Sequence, residues 1–318
     1  MKEKRIYLFG REIYFKLFGW VYDLLQPKSF AQISKGKDFP DKHFLLIRRN
    51  DVSAGLFSQV LYALGWTLYA VENQMIPVVD LQNRRNLYLR RSEVGKVNAW
   101  ELFFEQPCGY SLSDIARAKN ITVVDGDSLY PKYGIARCFE YQEKNSEEWR
   151  MIQDAAVRYL KPKRARKENK DFEKALSESV VLGVLARGTD YVTMRPKGHS
   201  VQPTMEQFEK KIRELDESGQ AKIYLVTEDA GVKKWFLENY GDRMILSNQK
   251  PLHYSDGFLV DSKDVACDRE RAWAYFNAIA DLARCPRLIA GKTSGSIGAA
   301  ILSPATQLRF FFELGVYP

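Results

Sequence analysis

The densest chemistry in this 318-residue chain lies in Val180–Pro203, VVLGVLARGTDYVTMRPKGHSVQP. An apolar, β-branched run, Val180–Leu185, reads as a strand buried on both faces. It stops at Arg187-Gly188-Thr189-Asp190. A guanidinium and a carboxylate at the carboxyl end of a buried strand stand where open α/β sheets hold their ligands. Arginine there suits a phosphate, which it meets with parallel N–H donors. His199, the one histidine of the stretch, is a candidate ligand binder or base, with a surface or packing role as the alternative. Two further polar strand ends follow. Thr227-Glu228-Asp229 offers carboxylates for the N–H edge of a base or for ribose hydroxyls. Lys292-Thr293-Ser294-Gly295-Ser296 is a hydroxyl- and glycine-rich loop opening a helix, where backbone amides and the helix dipole make an anion site. The order of residues is not that of a Walker loop.

The amino half carries weaker signals. Gly55, after a strand, suits a tight turn that lets backbone approach a ligand. In Asn98–Pro107, Asn98, Trp100 and Glu101 sit among further aromatics and acids, a mixture that fits either a sugar or a helix packing its rings inward. Asp125-Gly126-Asp127 after a strand fits either a divalent-metal site or an ordinary turn.

These groups need a scaffold. His43–Arg48 and Ile76–Leu81 read as strands around a helix at Leu56–Asn73, a βαβ unit and so a parallel sheet. Ile121–Val124 reads as a further strand and Trp149–Leu160 as a helix. From Val180 on, strands at Val180–Leu185, Lys222–Val226, Met244–Leu246, Arg287–Ala290 and Leu308–Phe312 alternate with helices at Thr204–Glu217, Ala230–Asn239, Arg269–Arg284 and Ser296–Leu302. The fold class is therefore α/β, with two Rossmann-like doubly wound domains, 1–170 and 171–318, facing a cleft. There is no G-x-G-x-x-G fingerprint.

Composition narrows the class. Hydrophobic residues make up 45% and charged residues 28%, the balance of a folded globular protein. The net charge of +8 favours an anionic partner. Four cysteines without a CxxC pair, and only three histidines, argue against structural zinc and for reduced thiols in a cytoplasmic protein. No signal peptide and no apolar run of membrane-spanning length are visible. Arg11–Phe30 reads as a helix docked on the first domain or as a basic amphipathic segment at the inner face of a membrane. Lys161–Lys167 reads as a solvated boundary segment or as a surface for phosphates or anionic lipid.

Four motifs, in order, resemble one family. Arg187-Gly188-Thr189-Asp190 resembles the His-x-Arg-x-Thr-Asp motif of the α1,6-fucosyltransferase and nodulation fucosyltransferase group and the related protein O-fucosyltransferases. Leu185 stands where that motif has histidine, and Gly188 where some members have a second arginine. Thr227-Glu228-Asp229 resembles the group's Thr-Asp-Asp turn, Thr293–Ser296 its motif of serines opening a helix, and Gly55–Gln59 its amino-terminal Gly-x-x-x-Gln loop. The resemblance implies a GT-B fold, with the nucleotide sugar on the carboxyl-terminal domain, and inversion at the anomeric carbon without a metal or other cofactor. It implies that Arg187 grips the β-phosphate, that Ser294 and Ser296 donate to the same phosphates, and that Asp229 or Glu228 binds the guanine edge. The acceptor side would be Gly55, Gln59, Asn98, Trp100 and Glu101. Candidates for the base that deprotonates the acceptor are Asp190, Asp51 and Glu101, in that order.

The expected function is fucosyl-type transfer from a nucleotide diphosphate donor to a glycan or lipid-linked polysaccharide precursor, with no nucleic-acid partner. The alternatives are a sugar-nucleotide epimerase of the same fold, and a non-catalytic binder of nucleic acid or anionic lipid.

Overall fold

The computed structural model describes residues 31–318 except 50, 52, 127–129, 189–191, 193, 194, 250–264 and 305. The segment Arg11–Phe30 lies outside the described residues, as do Asp127, Thr189 and Asp190.

Two sheets form. The first contains β1 (Ala31–Ile33), β2 (Asp38–Arg49), β3 (Ile76–Asp80) and β4 (Ala118–Gly126), in the order β1-β4-β2-β3. β2 runs parallel to both β3 and β4, and the short β1 adds antiparallel to β4. As a central strand, β2 buries Phe44, Leu45, Leu46 and Ile47 completely, which is why it reads as an unbroken apolar run. Helix α1 (Leu56–Glu72) connects β2 to β3. β3 is an edge strand, and two side-chain amides cover its open backbone. Gln106 accepts from Val79 N and donates to Val79 O, both at 2.9 Å. Asn98 accepts from Leu81 N at 3.0 Å and donates to Val79 O at 2.8 Å. Exposed strand edges invite pairing with other chains, and these amides satisfy the ladder instead.

The second sheet contains β5 (Val181–Leu185), β6 (Lys222–Val226), β7 (Met244–Leu246), β8 (Arg287–Gly291) and β9 (Leu308–Phe312), in the order β7-β6-β5-β8-β9. Every pairing is parallel. The order reverses between β5 and β8, and such a reversal opens a crevice at the carboxyl ends of the strands.

Among the described residues the further α-helices are α2 (Leu112–Ile115), α3 (Ile135–Glu143), α4 (Glu147–Tyr159), α5 (Lys170–Glu178), α6 (Met205–Leu215), α7 (Ala230–Tyr240), α8 (Val265–Leu282) and α9 (Ser294–Leu302). α1 is buried along most of its surface because it is covered on two sides. One side faces the first sheet. On the other, Leu61, Leu64 and Leu68 share a cluster with Trp149 and Ile152 of α4 and with Ile297, Ala300 and Ile301 of α9. A second cluster joins Phe57 and Val60 of α1 to Phe276 and Ile279 of α8. The two sheets are thus tied by continuous apolar packing. The later part of Lys161–Lys167 is drawn into the second half: Arg166 bonds Asp281 and Glu173, and Arg284 bonds Glu173 as well. Burial raises the Asp281 carboxyl above its ordinary range, against the pull of Arg166 and the Tyr224 hydroxyl.

Candidate functional site

The polar ends of β5, β6 and β8 share the carboxyl edge of the second sheet. Just past β5, Ala186 N still bonds Val226 O at 3.1 Å, so the pairing with β6 carries on to the residue before Arg187. The Arg187 side chain is 23% exposed, and its Nε lies 3.4 Å from Glu228 Oε1 at the neighbouring strand end. Gly188 has a steric reason to be glycine: a Cβ there would fall inside the Asp229 carboxylate. That carboxylate caps α7, accepting from Gly231 N at 2.7 Å and Val232 N at 3.0 Å. The Asp229 amide in turn donates to Thr227 Oγ1 at 3.1 Å, and Thr227 is buried. Asp229 therefore holds the turn together, which leaves Glu228 as the carboxylate of this turn not committed to capping a helix.

On the other side of the crevice, Thr293 caps α9. Thr293 Oγ1 accepts from Ser296 N at 3.1 Å, and Ser296 Oγ accepts from Thr293 N at 2.9 Å. Ser296 is wholly buried, and its hydroxyl donates to Gly291 O at 2.7 Å. That hydroxyl fixes the loop and does not reach outward to a phosphate, contrary to the sequence-based expectation. What the helix start presents instead is backbone. The amides of Ser294 and Gly295 have no intrahelical acceptor and no other partner among the described residues. Gly295 is again a close approach, since a Cβ there would overlap the Tyr275 hydroxyl of α8.

The start of α1 joins this edge. Phe57 packs edge-on to Tyr275, with ring centroids 5.7 Å apart, and stacks on Phe276 at 6.0 Å. A Cβ on Gly298 of α9 would fall on the Phe57 ring. Gly55 caps α1 with φ −67° and ψ 168°, an ordinary extended conformation, and open space surrounds the place of its absent Cβ. Neither backbone strain nor packing demands glycine there. Gln59 is buried, and its Oε1 has no partner among the described residues.

Other expected site residues are placed elsewhere. Asp51 accepts from Arg49 Nη2 at 3.1 Å and from Ser53 N and Oγ at 2.9 Å each. His199 is exposed in a turn, and its backbone pairs with Tyr317 near the chain end. Trp100 is 3% exposed, packs on Phe104 at 4.7 Å and donates its indole N–H to Glu105 O at 3.0 Å. Its ring belongs to the core and cannot stack on a sugar. Asn98 and Glu101 brace the β3 edge: Glu101 Oε1 accepts from the amides of Asn98 at 3.1 Å and Gln106 at 2.8 Å.

At the first sheet's carboxyl edge lies a second group, of which the sequence reading singled out only Asp125; the structure pairs that carboxylate with Arg84. Arg48 is in register with both Asp80 and Asp125 on the flanking strands. Arg48 Nε bonds Asp80 Oδ2, and Arg84 Nη2 bonds Asp125 Oδ2, each at 2.7 Å, with both aspartate side chains 1% exposed. The signal was present as Val-Val-Asp at the ends of two strands, Val78–Asp80 and Val123–Asp125.

The chain is thus an α/β protein with two largely parallel sheets whose strand ends carry the candidate chemistry. No protein-family model and no curated protein sequence matches it. Among solved structures it is similar to NodZ alpha-1,6-fucosyltransferase soaked with GDP-fucose, at 18% identity and a TM-score of 0.48 over 83% of this chain and 94% of that one. Fucosyltransferase NodZ from Bradyrhizobium is similar at 17% identity and a TM-score of 0.47, with coverage of 83% and 94%. An Arabidopsis thaliana FUT1 mutant in complex with GDP is similar at 11% identity and a TM-score of 0.45, covering 86% of this chain and 71% of that one.

Proposed function

We propose that the chain is an inverting, metal-independent glycosyltransferase that moves a fucose-type deoxysugar from a nucleotide diphosphate donor to a glycan or lipid-linked glycan. One observation carries the reading. Arg187 at the tip of β5 and the Ser294 and Gly295 amides at the start of α9 flank the crevice where the second sheet reverses its strand order. A leaving diphosphate gains negative charge as the bond from the anomeric carbon to the β-phosphate oxygen breaks. Preorganised N–H donors and a guanidinium on that side stabilise the charge as it develops. The acceptor hydroxyl attacks the opposite face of the sugar and loses its proton to a carboxylate. Asp51 is already engaged by three donors, and Glu101 by two amides; we assign the proton to Asp190. Glu228 is the carboxylate proposed for the N–H edge of the base.

The test is a thermal-shift panel of GDP, UDP, dTDP and their sugars. A ligand at about 100 times its Kd stabilises by about 2.7 kcal/mol, so the matching diphosphate raises the midpoint visibly. Arg187→Ala is expected to lose that shift. Stabilisation by none of the panel overturns the reading, and sugar transformation without any acceptor present reassigns the reaction as epimerisation.

A further inference from the structure

A cleft of about 650 Å³ lies beside edge strand β3, lined by none of the strand-end residues described above. Its volume falls within the roughly 300–1,000 Å³ usual for small-ligand sites. One wall is the segment from Glu101 to Ser111, and the other is the end of α4 with the residues that follow. The walls are joined by backbone: Glu105 N donates to Lys161 O and Lys163 N to Phe103 O, each at 2.9 Å, and Phe104 bridges Pro162. Their spacing is therefore fixed by main-chain bonds.

The fold sorts the basic residues of this region into two sets. Arg164 pairs with Glu270 and covers the Trp273 ring, and Arg166 is held by Asp281 and Glu173. Arg158, which lies over the Tyr159 ring, Lys161 and Lys163 line the cleft instead, and among the described residues none of them is in an ion pair. Tyr110, which carries Lys42 and packs on Phe39 and Phe44, and Tyr159, which carries Arg158, line the same space with the ring surface left to them. Glu105 and the Glu101 oxygen not bonded to Asn98 and Gln106 supply acceptors. Rings beside carboxylates suit the C–H faces and hydroxyls of a saccharide. Three cations against two carboxylates leave one positive charge over, which one acidic group per bound segment would match.

We propose that this cleft binds an acidic oligosaccharide, its sugar rings against the tyrosines and its carboxylate among Arg158, Lys161 and Lys163. The inference concerns binding alone and stands apart from the transfer reaction.

Cys108 offers a local readout, because it lines the cleft and is exposed, whereas Cys138 and Cys285 are buried. Partial burial raises its thiol pKa, opposed by the nearby Arg158 and Lys161. The experiment measures iodoacetamide alkylation of the Cys108 peptide by mass spectrometry, with a galacturonic acid hexamer, a neutral glucose hexamer or inorganic phosphate present. The acidic hexamer is expected to slow alkylation, and the other two to leave it unchanged at equal concentration. In Lys161→Gln/Lys163→Gln the concentration needed for protection rises about tenfold or more, the scale of lost hydrogen bonds to charged groups. Arg158→Gln gives the same reading should the double variant fold poorly. Failure of the acidic hexamer to protect, equal protection by the neutral hexamer or by phosphate alone, or undiminished protection in the variants overturns the proposal.

Discussion

The two sheets end differently at their carboxyl edges. In the first, charge is matched inside the protein: Asp80 and Asp125, each 1% exposed, hold Arg48 and Arg84. In the second, Arg187 meets Glu228 at 3.4 Å, and the start of α9 carries hydroxyls, glycine and unsatisfied amides with no acid in its first turn. Surface helices show the contrast. α4 begins with Glu147 and Glu148, α5 carries Asp171 and Glu173, and α6 carries Glu206, all at the positive end of the helix dipole. The starts of α4, α5 and α6 are thus neutralised by the protein's own carboxylates. The start of α9 is not, which suits an incoming anion. Substitutions at the first edge should therefore register as stability, and at the second as function.

The sharpest way to break that contrast is Asp80→Ala. Asp80 accepts from Arg48 Nε, Gln82 N and Asn83 Nδ2, and its removal is expected to cost about 3–5 kcal/mol in denaturant unfolding. Wild-type stability in that variant would dissolve the distinction. Arg187→Ala should do the converse, lowering sugar transfer about 10²–10³-fold, or roughly 2.7–4 kcal/mol, with the thermal midpoint near wild type. Unchanged turnover with a large midpoint drop would make Arg187 a structural residue like Arg48. Gly298→Ala forces a methyl onto Phe57, and calorimetry should show a loss of about 1–3 kcal/mol. Thr293→Ala removes the α9 cap for about 1 kcal/mol, and Thr293→Ser should restore most of it.

A pH-dependent control lies remote from both edges. Arg284, then Arg166, hold the Glu173 carboxyl down at about 2, against an ordinary value of 4.5. A lowered folded-state pKa stabilises above the unfolded value and loses that contribution as pH falls. Wild-type stability should thus decline from about pH 4.5 toward about pH 2, and Glu173→Gln should lack that part of the acid slope while leaving transfer unchanged.

How much was legible follows the same physics. β6, β7 and β9 coincide with the ranges read from sequence: β6 is a central strand whose Ile223–Val226 run is buried, and the edge strands β7 and β9 are short, largely apolar stretches set off by polar turns. Thr204 caps α6 as read, with Gln207 completing the capping box. The three-residue β1 pairs at an edge and has no periodicity to show. α5 was missed although Asn169 caps it and Phe172 and Ala175 form its buried face, because the basic run before it reads as unstructured. At the site, residue types showed which strand ends were polar but not which groups face outward. Ser296 and Ser294 look alike in sequence, yet one hydroxyl is locked inside the loop. Trp100 and Glu101 showed aromatic and acid together without revealing that the ring points into the core. Gly188 read as a missing arginine, whereas its fit depends on Asp229, some forty positions later in the chain.

That fit has a mechanical corollary. The residue beside Arg187 rests directly on the carboxylate that starts α7. A shift of the backbone at Gly188 therefore presses on the first turn of that helix, and a shift of that turn presses back on the backbone that carries Arg187. α7 acts as a keel for the arginine, so substitutions on its far side, which touch nothing in the crevice, become a means of detuning it.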